Sequence, residues 1–416
     1  MSCPLHSRIH RAIFRPSKTS ALAALAVVSA ASAQSTVEIY GRANLGLDSW
    51  GMTGATAGAA SDLKSRARMI DNSSRIGFRI NEDLGGGLRA FSVIETGVAL
   101  DTASNLGQSG AANSGAGYFG TREAHVGIGN GQAEVRLGRQ NVFWGNGKIE
   151  DVGANLIYGG VTSSYTSPSS GWTASPASRL DNATQIVLNK DLVGTMFAGS
   201  SVWYAMQQKA EQTGAGLDAK AKAQGFTLKA EQGPFAAQLD YGQNKNTANG
   251  VSTTAAQDST TTGVKVGVAY FYAPTSKVTF INTSFKTEFT DATANSAIAT
   301  QGTSTVGAVG FRKQGANAFG IQHDLGGGHI VMAQYVIQGN YKNAAGAAVA
   351  DTGSKAYSLA VRKDLSKRTS LSLSYNVIDN DKNNNVMNSG GGLASAATGP
   401  LGGTLKMLGA AIQHNF

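Results

Sequence analysis

Of the 416 residues, one is cysteine and seven are proline. The lone Cys3 stands so near the start that the rest of the chain can hold no disulfide, thiol nucleophile or thiolate metal site. Beyond residue 33 there is no apolar run of about 18 residues, so membrane-spanning helices are excluded. Histidines are also scarce there: His125, His323, His329 and His414, none in the HExxH spacing of a zinc protease. The "DLGGG" stretches lack the following Lys-Ser or Lys-Thr of a phosphate loop. The expectation is therefore no catalysis, no cofactor and no metal.

What is present begins with a leader. Arg8, Arg11, Arg15 and Lys18 come without an acid, "ALAALAVVSAA" follows, and "ASA" ends at Ala33. The apolar run is too short to cross a bilayer, and small residues at its end suit a signal peptidase. Residues 1–33 are expected to be a secretory signal peptide and 34–416 the working domain. An amphipathic N-terminal helix is the other reading. Taking those four cations from 35 leaves 31 against 26 acids, a balance of +5. That is too mild for a nucleic-acid binder, which needs a concentrated basic stripe.

Alternation supplies the fold. In "VEIYGRANLGLD", Val37, Ile39, Ala43, Leu45 and Leu47 share one parity, whereas Glu38, Tyr40, Arg42, Asn44 and Asp48 share the other. Successive strand side chains point to opposite faces, so this strand has an apolar and a polar side. "GFTLKAE", "FAAQLDY", "VKVGVAYFY" and "SLSLSYNV" repeat the pattern, and none shows the 3.6-residue period of a helix. Short turns fall inside "NEDLGGGLR", "GNGQ", "KDLVGT", "EQGPF", "YAPTSK", "HDLGGGH" and "KDLSKR". Longer polar stretches separate them, among them "GMTGATAGAASDLKSRARMIDN". Seven hairpins with an opening strand (about 36–48) and a closing strand (about 404–416) make about 16 strands in one domain. This predicts an all-β, transmembrane, antiparallel up-and-down barrel with short periplasmic turns, long outer loops and lipid around it.

These segments resemble the general porins of Gram-negative bacteria, of the trimeric beta-proteobacterial type. The resemblance spans the chain after the leader: "VEIYGRANLGLD" is similar to the family's first strand and "SSRIGFRINEDLGGGLRAFSVIETG" to its second hairpin. "GQAEVRLGRQ" is similar to the fifth strand and "RLDNATQI" to the sixth. It implies a 16-stranded barrel in the cell outer membrane, assembled as a homotrimer, through which small hydrophilic solutes diffuse passively. It further implies that Phe416 is a signal read by the barrel assembly machinery. The third loop, about Asn141 to Ser178, is expected to fold inward and narrow the channel. Its Glu150 and Asp151 would face a basic wall, though no Pro-Glu-Phe-Gly-Gly-like stretch is present.

Parity and resemblance together name that wall. By resemblance Arg42, Arg75 and Arg179 match the family's basic positions. By parity Arg79 shares a face with Arg75, and Arg136 faces inward with Glu134 and Gln140. Arginine suits the task because its charge is permanent and its fork fits carboxylate or phosphate. Each could instead pair with neighbouring acids and merely solvate the wall; Glu150 and Asp151 could pair with Lys148 or hold a divalent ion at the rim. The expected function is a general diffusion channel with weak anion selectivity. A solute-specific channel using Tyr158 and Trp172, and a non-conducting adhesin or phage receptor, are the competing readings.

Overall fold

The structure is a computed structural model that describes residues 35–101, 120–142, 148–149, 179–206, 220–247, 259–289, 310–343, 345–387 and 399–416. The predicted leader, together with Glu150 and Asp151, lies outside the described residues. Seventeen strands form one sheet. In chain order they are β1 (Thr36–Thr53), β2 (Leu63–Asp71), β3 (Arg75–Gly85), β4 (Leu88–Gly97), β5 (Glu123–Gly129) and β6 (Ala133–Asn141). Then come β7 (Arg179–Leu188), β8 (Ser201–Met206), β9 (Lys220–Gln232), β10 (Phe235–Thr247), β11 (Ser259–Ala273) and β12 (Ser276–Phe289). The remainder are β13 (Gly310–Asp324), β14 (His329–Gln338), β15 (Ser354–Asp364), β16 (Thr369–Asn380) and β17 (Thr404–Asn415).

From β3 onward each strand pairs antiparallel with the next in the chain, and β1 pairs with β17 from Arg42↔Asn415 to Thr53↔Thr404. The sheet therefore closes on itself at the β1–β17 seam. In hydrocarbon this is obligatory, because an unpaired N–H or C=O there finds no water. On its other side β1 pairs with β3 along its first half and with β2 along its second. β2 and β3 are thus one position interrupted at Asn72–Ser74, where Ser73 takes φ 60°. Seventeen strands make a barrel of 16 positions, as the hairpin count predicts.

Two segments differ from the sequence reading. "LKSRARMID" is strand β2, not loop. Its Lys64, Arg66 and Arg68 look like solvent composition but occupy the inward parity, where a charged strand face is wet. The expected tight turn at "KDLVGT" is a helical segment, α1 (Lys190–Phe197), broken at Gly194 where φ is 73°. It docks on the neighbouring turn, where the Asp191 amide donates to the Gly131 carbonyl (3.1 Å) and Asn189 Nδ2 to the Asn130 carbonyl (2.7 Å). Those bonds give the chain partners that a two-residue reversal would not need.

The barrel is inside-out relative to a soluble protein. Val37 is 63% exposed while its strand-mate Arg42 is 6% exposed, because the apolar parity faces lipid. The outer face is uneven around its circumference. Among the described residues the exposed aromatics are Phe197, Tyr204, Phe226, Phe235, Tyr270, Tyr272, Phe319, Tyr335, Tyr357, Tyr375 and Phe416. None precedes residue 197, so the strands β1–β7 expose aliphatic side chains outward, with Phe78 half-buried among them and Phe416 laid over Gly41. The interior is also uneven: near the loops, Met52, Ile378, Leu405 and Met407 form an apolar cluster with Trp50, Ile70 and Val386. The Thr56 amide donates to the Leu401 carbonyl (2.8 Å), which lashes two outer loops together above it.

Glycine sets one recurrent detail. Inward-facing aromatics lie over glycines directly opposite on the next strand: Tyr40 over Gly77, Phe91 over Gly127 and Trp203 over Gly225. A Cβ at Gly225 would stand 2.1 Å from the Tyr241 carbonyl oxygen and 2.4 Å from the Trp203 ring. The ring covers backbone that glycine would otherwise leave bare, and it can lie flat only because no side chain is there. Phe416 does the same over Gly41 on the outward face, where the two backbones exchange hydrogen bonds of 2.9 and 3.1 Å.

Candidate pore constriction

The interruption between β2 and β3 positions the first arginine. Across it Arg42 Nη2 donates to the Asn72 and Ser73 carbonyls at 3.1 and 3.0 Å. Ser74 completes the seam, its hydroxyl accepting from the Asn44 amide at 2.8 Å. Arg75 sits directly opposite Arg42. Two guanidiniums are thereby held side by side at mid-height on the inner wall.

A row running round the wall explains the next group. Tyr40, Gly77, Glu95 and Glu123 stand in register on β1, β3, β4 and β5. Because Gly77 offers no side chain, the Tyr40 ring reaches across it, and its hydroxyl donates to Glu95 Oε2 at 3.1 Å. Glu95 is then a hub: Arg122 Nε donates to its other oxygen at 2.6 Å, and Arg75 Nε lies 3.7 Å away. Arg179 enters from β7 with its Nε buried and without a hydrogen-bond partner among the described residues. The charged groups acting on Arg179 are Arg122, Glu123, Glu95 and Arg139, and those acting on Arg42 begin with Arg75 and Arg122. Arg42, Arg75, Arg122 and Arg179 thus form one cluster holding Glu95 and Glu123, with positive charge in excess.

The other two predicted arginines lie nearer the turns. Arg136 pairs with Glu134 (2.6 Å), which also takes Arg89, and both guanidiniums lie over the Phe91 ring. Arg79 pairs with Glu38 (3.2 Å) and stacks on Tyr40 (3.7 Å). The structure sets Arg42 and Arg75 opposite one another and links them to Arg179 through Arg122, whereas Arg79 and Arg136 pair with Glu38 and Glu134, Arg136 still acting on Glu123.

Across the lumen, a fragment of the third loop touches the far wall. Lys148 pairs with Glu231 of β9, and its carbonyl accepts from Lys277 Nζ of β12 at 2.8 Å. Ile149 is 2% exposed and fills the space over Gly267 of β11, where a Cβ would lie 2.6 Å from it. Lys148 and Ile149 thus lie against the inner faces of β9, β11 and β12, and the rest of the expected third loop lies outside the described residues. Whether Glu150 and Asp151 face the arginines lies outside the described residues.

Arg122, Glu95, Glu123, Arg139 and Tyr40 belong to the site and escape sequence reasoning. Arg139 bonds the Thr121 carbonyl (2.9 Å) and pairs with Asp181. The available signal was the hairpin register around Gly86, which sets Glu95 opposite Gly77 and beside Arg75. Arg122 had no such signal, because the segment before it follows no turn of known length.

A closed barrel of this size with a charged inner wall defines an outer-membrane channel scaffold. The profile of the family described as Gram-negative porin matches residues 20–383, and the chain belongs to that family. A major outer membrane protein P.IB of Neisseria gonorrhoeae is 29% identical over 135 residues, 32% of this chain and 33% of that protein. Its counterpart in Neisseria lactamica is 29% identical over 120 residues. The matched part is thus about a third of these relatives' length. Among solved structures, the anion-selective porin from Comamonas acidovorans superposes with TM-score 0.64 at 20% identity, covering 92% of this chain and all of that one. The trimer form of OmpT from Vibrio cholerae gives 0.57 at 14% identity, covering 92% and 99%. The family and the closed barrel place the protein in the Gram-negative outer membrane.

Proposed function

We propose that the protein is a general diffusion porin: a water-filled, weakly anion-selective pore for small hydrophilic solutes, working as a homotrimer. A barrel of 16 positions leaves an aqueous lumen, so the inserted loop sets the cutoff and the lining charge sets ion preference. The observation that carries this reading is the arginine cluster of Arg42, Arg75, Arg122 and Arg179 around Glu95. Permanent cations on a low-dielectric wall raise the local anion concentration. Arg79 and Arg136 add to the same field from below, partly cancelled by Glu38 and Glu134. Glu150 and Asp151 would temper it from the loop.

The trimer reading rests on the outer face of β1–β7, whose strands expose aliphatic side chains, the exposed aromatic lying over them being Phe416 at Gly41. Tyrosine and tryptophan belong at a headgroup boundary, and a wall covered by another subunit meets none. Residues 1–33 serve as the export signal in this scheme, and Phe416 as the mark for assembly. Planar-bilayer recordings test the channel: reversal potentials in a salt gradient should favour chloride over potassium. Cation preference would overturn the selectivity claim, and absent conductance the function itself.

A further inference from the structure

Beyond β16 the chain returns to the inner wall at a sulfur-rich contact. Asn380, the last residue of β16, clasps it. Its Nδ2 donates to the Val386 and Gly403 carbonyls at 3.0 Å each, and its Oδ1 accepts from the Val386 amide at 2.8 Å. Met387 follows, half-buried, and packs on an apolar cluster that includes Trp50 and Met52 of β1, Ile378 of β16, and Leu405 and Met407 of β17. Gly399 and Gly403 close over the thioethers. A Cβ at Gly399 would stand 2.9 Å from Met52 Sδ and 3.0 Å from Met387 Sδ, and one at Gly403 would stand 2.7 Å from Met52 Cε. Three of the chain's eight methionines thus share one contact at the loop end of the lumen.

This contact has no spare room. A methyl does not fit between Gly399 and the two sulfurs, so an oxygen added on that side does not fit either. Oxidation also turns a flexible apolar thioether into a polar sulfoxide, which disrupts methionine-rich packing. Access singles out one of the three sulfurs: Met52 and Met407 are fully buried, whereas Met387 is partly open. The wall beside it is basic. Arg66 and Arg68 lie over the Trp50 ring at 5.2 and 5.9 Å, and Trp50 stands opposite Met407. Fixed positive charge there raises the local concentration of anionic oxidants such as hypochlorite.

We infer that Met387 is an oxidant-responsive latch. Conversion of its thioether to the sulfoxide frees the Val386–Met387 segment from β1 and β17, and the freed segment then obstructs the mouth intermittently. The sulfur lone pair attacks the chlorine of hypochlorous acid and the Cl–O bond breaks. Water then displaces chloride from the chlorosulfonium. In sum, thioether and hypochlorous acid give sulfoxide, chloride and a proton, with an electron pair passing from sulfur to chlorine. That the loop end meets the oxidant first rests on the porin reading of the barrel's orientation.

The test uses the full chain in planar bilayers, with hypochlorous acid added in steps and sulfoxides located by peptide mass spectrometry. Met387 should gain oxygen at doses that leave Met52 and Met407 intact. Mean single-channel current should then fall at least about 1.3-fold, with closures to sublevels, because the clear width of the mouth sets conductance. Methionine sulfoxide reductase should restore it. M387L keeps the apolar bulk without the sulfur and should hold its current through the same doses. M387Q, polar from the outset, should show the closures untreated. Met196, exposed on α1, reports in every sample that oxidant arrived. Equal loss of current in M387L, full conversion of Met387 with unchanged current, or protection of Met387 while Met196 is converted overturns the inference. Heat-modifiable migration separates a lost barrel from a lost latch. Untreated conductance is read first, so failure of the latch leaves the porin reading intact.

Discussion

The two halves of the barrel differ on both faces. From β1 to β7 the inner wall carries Arg42, Arg75, Arg122 and Arg179, and the strands themselves expose aliphatic side chains outward, with Phe416 laid over Gly41. From β8 to β16 the outer wall carries Tyr204, Phe226, Tyr270, Phe319, Tyr335, Tyr357 and Tyr375. The inner wall there is covered in part by Lys148 and Ile149. One half thus carries the arginine cluster while the other receives Lys148 and Ile149. The same alternation along every strand yields both, so the difference lies in which residues fill the two parities.

The comparison can be broken first at the inner wall. Reversing Arg75→Glu together with Arg122→Glu turns the cluster's excess from positive to negative. The reversal potential should then change sign toward cation preference. An unchanged sign would show that the arginine half does not govern selectivity. The outer walls come next. Val268→Arg, in the middle of the outward row of β11, should cost about 2–4 kcal/mol in folding titrations into vesicles and leave oligomer size unaltered. Ile39→Arg on the bare wall should instead dissociate the trimer, read by light scattering in detergent. If the two variants behave alike, the outer halves are equivalent.

A smaller effect is expected where the halves meet. Gly225→Ala forces the Trp203 ring and the Tyr241 carbonyl away from the new Cβ and should destabilise the barrel by about 1–3 kcal/mol in urea titration. An unaffected midpoint would mean that the aromatic covering of glycine is incidental. The smallest is Arg79→Ala. Its partner Glu38 is largely exposed, so stability should change by less than about 0.5 kcal/mol. The reversal potential should move only slightly. A shift rivalling that of the Arg75 variant would extend the basic wall down to the turns.

Much of this was legible from alternation. Val37, Ile39 and Leu47 against Arg42, Asn44 and Asp48 defined the two faces, and the seven turns defined the count. The strand "LKSRARMID" was not legible, because a strand with lysine and arginine on its wet face has the composition of a loop. Nor was the break at Ser73, which depends on a single residue adopting a positive φ so that β2 and β3 can share one position. Arg75 and Arg79 look equivalent in "RIGFRI". Only the pairing of Glu38 with one and Glu95 with the other separates them.

The amino-acid order alone determined that the chain is a ribbon of half-apolar strands that must close, since period-2 patterning and membrane solvent permit nothing else. It also determined which side chains face water, because parity is a local property. Tertiary structure decided which inward charges meet. Arg42, Arg122 and Arg179 are far apart in the chain, and their convergence depends on strand register and on a glycine gap at Gly77. Those are long-range geometric facts, and no local pattern encodes them.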